Sequence, residues 1–231
     1  MTEQEWLAST DPGPMLDFLR GKASERKLRL FAAACVRRAW HLLTDTGRQA
    51  VEAAEAYADG MIGREALEAA RRAAYEPVAD AIEEANLTWT LGKPLSPSES
   101  AADAALEACD DMDRDARRDI APLHAAERAQ GALGWTGVES AAQAALLRDV
   151  LGNPFLRPPP PLSAAILAWN DGTVGRIAAG IYEERAFDRL PILADALLDA
   201  GCDAEELLAH CRSAGPHVRG CWVVDTILGK T

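Results

Sequence analysis

Apolar residues recur at steps of three and four along most of this chain, which is the spacing of one face of an α-helix. The segment that follows Ser24 shows the pattern well, with apolar side chains at Leu28, Phe31, Ala32 and Cys35. No stretch has the strict alternation of polar and apolar residues that is typical of a half-buried β-strand. The pattern predicts an all-α protein, an array of about nine to eleven short helices in an orthogonal bundle or a solenoid-like arrangement.

Capping residues indicate where several of these helices begin. Asp11 and Ser24 each precede an apolar helical stripe and are predicted N-caps, and Asp45 or Thr46 is predicted to cap the third helix. A fourth helical pattern contains Pro77. Because proline removes a backbone hydrogen bond and clashes with the preceding turn, we expect a kink or break there.

A run of prolines divides the pattern into two parts. The residues after Arg157 read Pro-Pro-Pro-Pro, which favours a stiff polyproline II segment. The sequence therefore predicts an N-terminal helical array with a variable, Ala-rich middle over residues 1–155. A Pro-rich connector follows at 156–162, and a C-terminal helical unit at 163–231.

The charge balance of the sequence disfavours some classes of binding partner. The 231 residues include 24 Lys and Arg against 36 Asp and Glu, a formal net charge of −12. Nucleic acids and anionic membranes attract positive surfaces, so this balance disfavours both as general partners. No apolar run approaches the ~20 residues of a membrane span, and the acidic N-terminus does not resemble a signal peptide. We therefore expect a cytoplasmic protein.

Two blocks of the sequence carry a resemblance. The first contains Trp6-Leu7, Asp11-Pro12, the run from Met15 to Ala32, and Trp40-His41-Leu42; the second contains Gly152-Asn153-Pro154-Phe155, Phe187 to Leu197 and His217 to Asp225. Together they resemble a protein family that is heavily duplicated in planctomycete genomes. The resemblance implies a bacterial cytosolic protein with many paralogues, and it supplies neither an activity nor a catalytic residue.

Cysteine and histidine concentrate near the C-terminus. Three of the five cysteines and two of the four histidines lie within twenty residues of one another. They are Cys202, His210, Cys211, His217 and Cys221. A tetrahedral zinc site would take Cys202, His217, Cys221 and one of the adjacent pair His210 and Cys211, whose side chains point about 100° apart on a helix.

The spacing of His217 and Cys221 supports a shared metal, because residues four apart lie on one face of the helix predicted over 217–228. Against this, the chain has no Cys-x-x-Cys pair. The sequence favours the other interpretation, in which the cysteines are small buried hydrophobes and the histidines bond locally. Under that interpretation the protein needs no cofactor; under the first, the cofactor is zinc.

A third alternative is a ribonuclease. Arg212 and His217 have the Arg-x4–6-His spacing of helical HEPN-type ribonucleases, in which the histidine acts as acid or base. Gly215 and Pro216 lie inside the spacing, however, and the remaining sequence does not resemble those enzymes.

Basic residues cluster on the helix that follows Ser24. Arginines that could bind an anion or an acidic partner are Arg26, Arg29, Arg37, Arg38, Arg212 and Arg219. In a chain with twelve surplus carboxylates, the favoured interpretation is that they pair with acidic side chains of the same chain.

The sequence also lacks the common nucleotide-binding, protease and hydrolase motifs. Our first hypothesis is therefore a non-enzymatic helical interaction or regulatory module, binding either an unidentified protein or a second copy of itself. Trp is enriched at interface hot spots, so Trp40, Trp169 and Trp222 are the candidate interface residues.

Overall fold

A computed structural model describes residues 1–80, 82–83, 95–110, 121–156 and 162–230. Over these ranges it contains twelve α-helices and no strand, which confirms the all-α prediction. The helices are α1 (Glu3–Ala8), α2 (Pro12–Leu19), α3 (Glu25–Arg38), α4 (Asp45–Ala58), α5 (Arg64–Tyr75), α6 (Pro97–Ala108), α7 (Ala121–Leu133), α8 (Gly137–Leu151), α9 (Ala164–Glu184), α10 (Leu190–Asp199), α11 (Glu205–Arg212) and α12 (Trp222–Leu228). None of the helices in these ranges is both long and apolar enough for a membrane span.

The chain folds into two compact units. Unit 1 comprises Met1 and residues 9–144, and unit 2 comprises residues 2–8 and 145–231. The division falls inside α8, upstream of the boundary predicted after residue 155, because the C-terminal turns of this helix pack with unit 2. The predicted Pro-rich connector lies almost wholly outside the described residues.

Unit 1 is built around α3, which packs against α4, α6 and α7. Its core is made largely of alanines, with Phe31 and Leu30 of α3 fully buried among them. Small side chains let helix backbones approach closely, which fits the low aromatic content. The predicted caps Asp11 and Ser24 are confirmed, since their side chains accept the backbone N–H groups of Gly13 and Lys27.

Two details of unit 1 bear on the helix predictions. The cap of α4 is Thr44, whose hydroxyl accepts the N–H of Gly47, one position before the predicted caps. The break expected at Pro77 is confirmed, because α5 ends at Tyr75 and a 3-10 turn, Glu76–Val78, follows it.

In unit 2, an apolar core is shared by α9, α10, α11 and α12. Its members include Leu193 and Leu197 of α10, Leu207 of α11 and Val223 of α12, all fully buried. Helix α9 is broken internally, because Asn170, Asp171 and Gly172 are all in the left-handed conformation.

The N-terminal helix α1 belongs to unit 2 although it lies far from that unit in sequence. Trp6 is fully buried, and its backbone carbonyl accepts a hydrogen bond of 3.1 Å from the guanidinium of Arg148. The Asn153 side-chain amide also donates to the Glu3 carboxylate at 2.6 Å. These contacts fix α1 beside the end of α8.

Trp6 and Leu7 are neighbours on α1 that differ in burial, so substituting each of them tests how α1 is attached. We expect Trp6→Ala to lower the free energy of unfolding by about 3–5 kcal/mol, because it leaves a cavity where a large buried side chain stood. Leu7 is 55 % exposed, so Leu7→Ala should cost less than about 1 kcal/mol. Chemical denaturation followed by circular dichroism measures both, and equal losses would contradict the buried position of Trp6.

Candidate metal centre

Four metal-ligating side chains converge in unit 2. They are Asp149, His210, His217 and Cys221, and one ligand atom from each lies within 4.8 Å of the others. The side chains are enclosed, with exposed fractions of 2 % for Asp149, 17 % for His210 and 8 % for His217, and Cys221 fully buried. Three separate segments contribute: the end of α8, the end of α11 and the turn before α12.

The end of α8 is fixed by a close contact with α12. Gly152, which follows α8, has a positive φ of 68°. A Cβ at this position would lie 3.1 Å from the indole of Trp222, so the approach requires glycine. Trp222 in turn packs its ring at 5.2 Å from the ring of His210. The chain geometry thus brings the last turn of α8, which carries Asp149, to the start of α12.

The carboxylate of Asp149 contacts both histidines of the cluster. Its Oδ1 lies 2.7 Å from His217 Nδ1 and 3.1 Å from His210 Nε2. Its Oδ2 accepts the backbone N–H of Val218 at 2.9 Å. The backbone bond orients the carboxylate so that Oδ1 faces both imidazoles.

The two ring nitrogens of His217 have different partners. Nδ1 faces the Asp149 carboxylate, which can only accept, so Nδ1 donates a proton to it when no metal is bound. Nε2 lies 3.2 Å from both the carbonyl and the hydroxyl of Ser213, and the hydroxyl can donate or accept. The ring is therefore satisfied either as a neutral imidazole or as an imidazolium, and a cation bound at Nδ1 would replace the proton there.

Cys221 supplies the fourth ligand atom. Its Sγ lies 3.3 Å from His210 Nε2. Burial raises the pKa of this thiol well above its ordinary value, the Asp149 charge adds to the rise, and hydrogen bonds from the Val224 and Val223 backbone amides oppose it. The backbone amides of Val223 and Val224 are thus placed to stabilise a thiolate at Cys221.

Burial and pairing also shift the pKa values of Asp149 and His217. Burial alone raises the pKa of Asp149, yet the hydrogen bonds and charges of His210 and His217 lower it, and the net direction is downward. Burial alone lowers the pKa of His217, but the hydrogen bond and charge of Asp149 raise it, and the net direction is upward. The charged pair of Asp149 and His217 is therefore favoured in the folded protein without a metal.

Two contacts in the cluster are near the spacing of a zinc site, while the four atoms as a set lie within 4.8 Å of one another, wider than the roughly 3.8 Å limit of such a site. Around a tetrahedral Zn²⁺, with bonds of ~2.0–2.3 Å, neighbouring ligand atoms lie roughly 3.3–3.8 Å apart. The contacts of 3.1 and 3.3 Å made by His210 Nε2 are close to this range. The 2.7 Å contact of His217 with Asp149 would have to lengthen by roughly half an ångström. Two imidazoles, one carboxylate and one thiol are a donor set that suits zinc.

The structure corrects how this cluster is assembled. The last helix was predicted over 217–228, but α12 begins only at Trp222, so His217 and Cys221 do not share a helix face. Gly220 has a φ of 94°, which interrupts a helix, and the Val218 N–H donates to the Asp149 carboxylate. The two residues meet through a turn that folds back on Asp149.

Three of the five predicted cluster residues come together, and a fourth ligand was missed. Cys202 and Cys211 are buried in the apolar core of unit 2 and are not members of the cluster. Asp149 takes the fourth place. The sequence does contain a signal for Asp149. It lies three residues after Leu146, on the apolar face of the predicted helix, and a carboxylate buried there without a partner would be costly.

No family model, no curated protein and no solved structure matches this chain. The resemblance to the planctomycete family therefore stays a prediction, and the site has to be interpreted from its own geometry.

The ribonuclease alternative depended on Arg212 and His217 acting together. The Arg212 guanidinium pairs with Asp195 at 3.1 Å on the surface of unit 2, whereas both ring nitrogens of His217 contact Asp149 and Ser213. The two side chains thus have separate partners. The geometry favours a metal site over the ribonuclease hypothesis, which stays untested.

The predicted basic face is largely neutralised within unit 1. Paired residues are Arg26 with Asp59 at 3.0 Å, Arg37 with Glu55 at 2.7 Å and Arg38 with Glu139 at 2.7 Å. The interpretation that these arginines pair with surplus carboxylates is confirmed. In unit 2, the Arg219 guanidinium lies over the ring of Tyr182 at 4.7 Å.

The tryptophans proposed as interface residues differ in exposure. Trp222 is buried against His210, so it is part of the core of unit 2 and is not an exposed hot spot. Trp40 is half-buried under the Arg37 guanidinium, 4.4 Å from the ring centre. Trp169 is half-buried and packs on the core of unit 2. An interaction surface at Trp40 or Trp169 stays a prediction.

The buried pair of Glu55 and Arg37 provides a stability test. Glu55 is 2 % exposed and accepts two hydrogen bonds from Arg37. Glu55→Ala should lower the free energy of unfolding by about 3 kcal/mol, because it removes the carboxylate that pairs with the partly buried guanidinium of Arg37. Asp17→Ala breaks a pair whose members are both more than half exposed, and should cost under about 1 kcal/mol. Urea denaturation of the two variants, analysed with a common m-value, measures the difference.

Proposed function

We propose that unit 2 is a zinc-binding helical module and that Asp149, His210, His217 and Cys221 are the ligands. The observation that carries the proposal is the enclosed convergence of four ligand atoms, one from each of these side chains, within 4.8 Å of one another. We further propose that the module serves interaction or regulation and is not itself an enzyme.

The second sphere of the site supports metal binding. A metal-bound histidine usually donates its other N–H to a carbonyl or carboxylate, which sets the tautomer and aims the lone pair at the ion. The bond from His217 Nε2 to the Ser213 carbonyl is of this kind. The Val218 amide holds Asp149 in the same way, and the Val223 and Val224 amides lie at the sulfur of Cys221.

Charge balance supports zinc in particular. One carboxylate and one thiolate offset the two positive charges of the ion, and both imidazoles are neutral when they act as ligands. The occupied site would thus have no net charge. Because burial of a net charge is costly, this neutrality suits the enclosed position of Asp149 and Cys221.

The number of protein ligands favours a structural role. Catalytic zinc sites keep a position open for water or substrate, whereas structural sites are closed by four protein ligands. Here four side chains are available and all are at least mostly buried. The ion would tie together the ends of α8 and α11 and the turn before α12, and so set the shape of the C-terminal surface.

Native mass spectrometry with elemental analysis on untagged, full-length protein tests the proposal. We expect one zinc per chain, lost in Cys221→Ser and in His217→Ala. Removal of zinc by a chelator should lower the melting temperature by about 10 °C or more, because a tight ligand stabilises only the folded state. Readdition of zinc should restore it.

Two other cysteines give matched controls. Cys211→Ala and Cys202→Ala also remove a buried thiol, but neither residue is in the cluster, so each variant should retain one zinc. Cobalt substitution separates ligand loss from unfolding, since a folded protein with one thiolate ligand gives visible absorption that Cys221→Ser should remove. A metal-free protein whose melting temperature does not respond to zinc, or loss of zinc in the Cys211→Ala variant, would overturn the proposal.

A further inference from the structure

Two of the proposed ligands, His217 and Cys221, are linked by a single tight turn. The backbone N–H of Cys221 donates to the Val218 carbonyl at 2.9 Å and closes the turn. Its third residue, Gly220, has a φ of 94°. A type II turn needs a positive φ at this position and usually has glycine there. Residues 218–221, the ligand turn, thus have the hydrogen bond and the glycine of this turn type.

The ligand turn is attached to α8 and α11 by contacts that involve the proposed ligands. The Val218 N–H donates to the Asp149 carboxylate at 2.9 Å, and Cys221 Sγ lies 3.3 Å from His210 Nε2. A bound ion would replace the contact between Cys221 and His210 by a bond from each of them to the metal. Only a contact that uses no ligand atom can hold the turn in the same way with and without the ion.

Arg219, the second residue of the ligand turn, makes such a contact with a third helix. Its guanidinium lies 4.7 Å from the centre of the Tyr182 ring. An aromatic face attracts a cation within ~6 Å of the ring centre, and more strongly where water is excluded. Arg219 is half-buried and Tyr182 is 3 % exposed. The contact is therefore mostly shielded from water.

Tyr182 is a fixed point because it belongs to the apolar core of unit 2. It lies on α9, where Ala178 and Ile181 are buried beside it. Helix α9 packs against α10 and α12. It contributes none of the four proposed ligand atoms. Through Tyr182 and Arg219 it nevertheless determines where the ligand turn lies.

We propose that Arg219 is a positioning residue of the metal site: its guanidinium, held over the Tyr182 ring, keeps the ligand turn in the shape that places His217 and Cys221 around one ion. This inference rests on the proposed zinc function. Arg219 does not touch the ion. It acts on affinity, because ligands that are already in place lose less conformational freedom when the metal binds. Residues outside the ligand set that hold the ligands of a metal site commonly contribute about 10–100-fold to metal affinity.

Competition for zinc with a chromophoric chelator, on the full-length protein, tests the inference. Arg219→Gln and Tyr182→Leu should each weaken zinc binding by about tenfold or more. Tyr182→Phe keeps the aromatic face and should stay within about threefold of the parent affinity. The cobalt-loaded Arg219→Gln protein should keep the thiolate absorption that Cys221→Ser removes, because all four ligands are still present.

A matched control comes from a second cation on the same ring. The Lys230 Nζ lies 4.6 Å from the centre of the Tyr182 ring, but Lys230 follows α12 and is outside the ligand turn. Lys230→Gln should therefore change zinc affinity by less than about threefold. Circular dichroism and metal-free melting temperatures of all variants show that each one is folded.

A double variant separates a specific contact from general destabilisation. Arg219 and Tyr182 act through one contact, so Arg219→Gln combined with Tyr182→Leu should weaken zinc binding no more than either change alone. Additive losses, an unchanged zinc affinity in Arg219→Gln, or an equal loss in Lys230→Gln would overturn this inference while the zinc site stands. A parent protein that binds no zinc would overturn both the inference and the proposed function.

Discussion

The buried carboxylate of Asp149 is the interaction on which unit 2 depends. A carboxylate with 2 % exposure is costly unless each oxygen has partners, and here three come from the last quarter of the chain: His210, His217 and the Val218 amide. His210 lies in the last turns of α11, and His217 and Val218 lie in the segment between α11 and α12. The apolar core holds the helices of unit 2 together, whereas Asp149 determines the path of the chain between them.

The same constraint explains the surrounding sequence. Gly152 suits its position because its φ is +68° and a Cβ there would lie 3.1 Å from the Trp222 indole. Ser213 contacts His217 Nε2 through both its carbonyl and its hydroxyl, which leaves Nδ1 facing the Asp149 carboxylate. One arrangement around the buried Asp149 carboxylate therefore depends on four residues: Gly152, Ser213, His217 and Trp222.

Local sequence patterns predicted the parts of the structure that local forces determine. The helical class, the caps at Asp11 and Ser24 and the break at Pro77 follow from side chains within one turn of where they act. The cluster was predicted in part, since His210, His217 and Cys221 are close in sequence. Asp149 is about sixty residues away, and its role depends on a tertiary contact that periodicity does not report. The helix expected over 217–228 was wrong, because Gly220 takes a φ of 94°, outside the helical range, and the helix begins only at Trp222.

The arginines show why a basic stripe in a sequence need not become a positive surface in the fold. Arg26, Arg37 and Arg38 are each matched by a carboxylate at hydrogen-bond distance, so the basic stripe of α3 contributes little positive potential. Two of these carboxylates, Asp59 and Glu55, come from α4 or the residue after it, and the third, Glu139, comes from α8, so tertiary packing brings them to α3. Net charge and helical periodicity describe where charges lie along the chain, while pairing across helices decides which of them remain available to a partner.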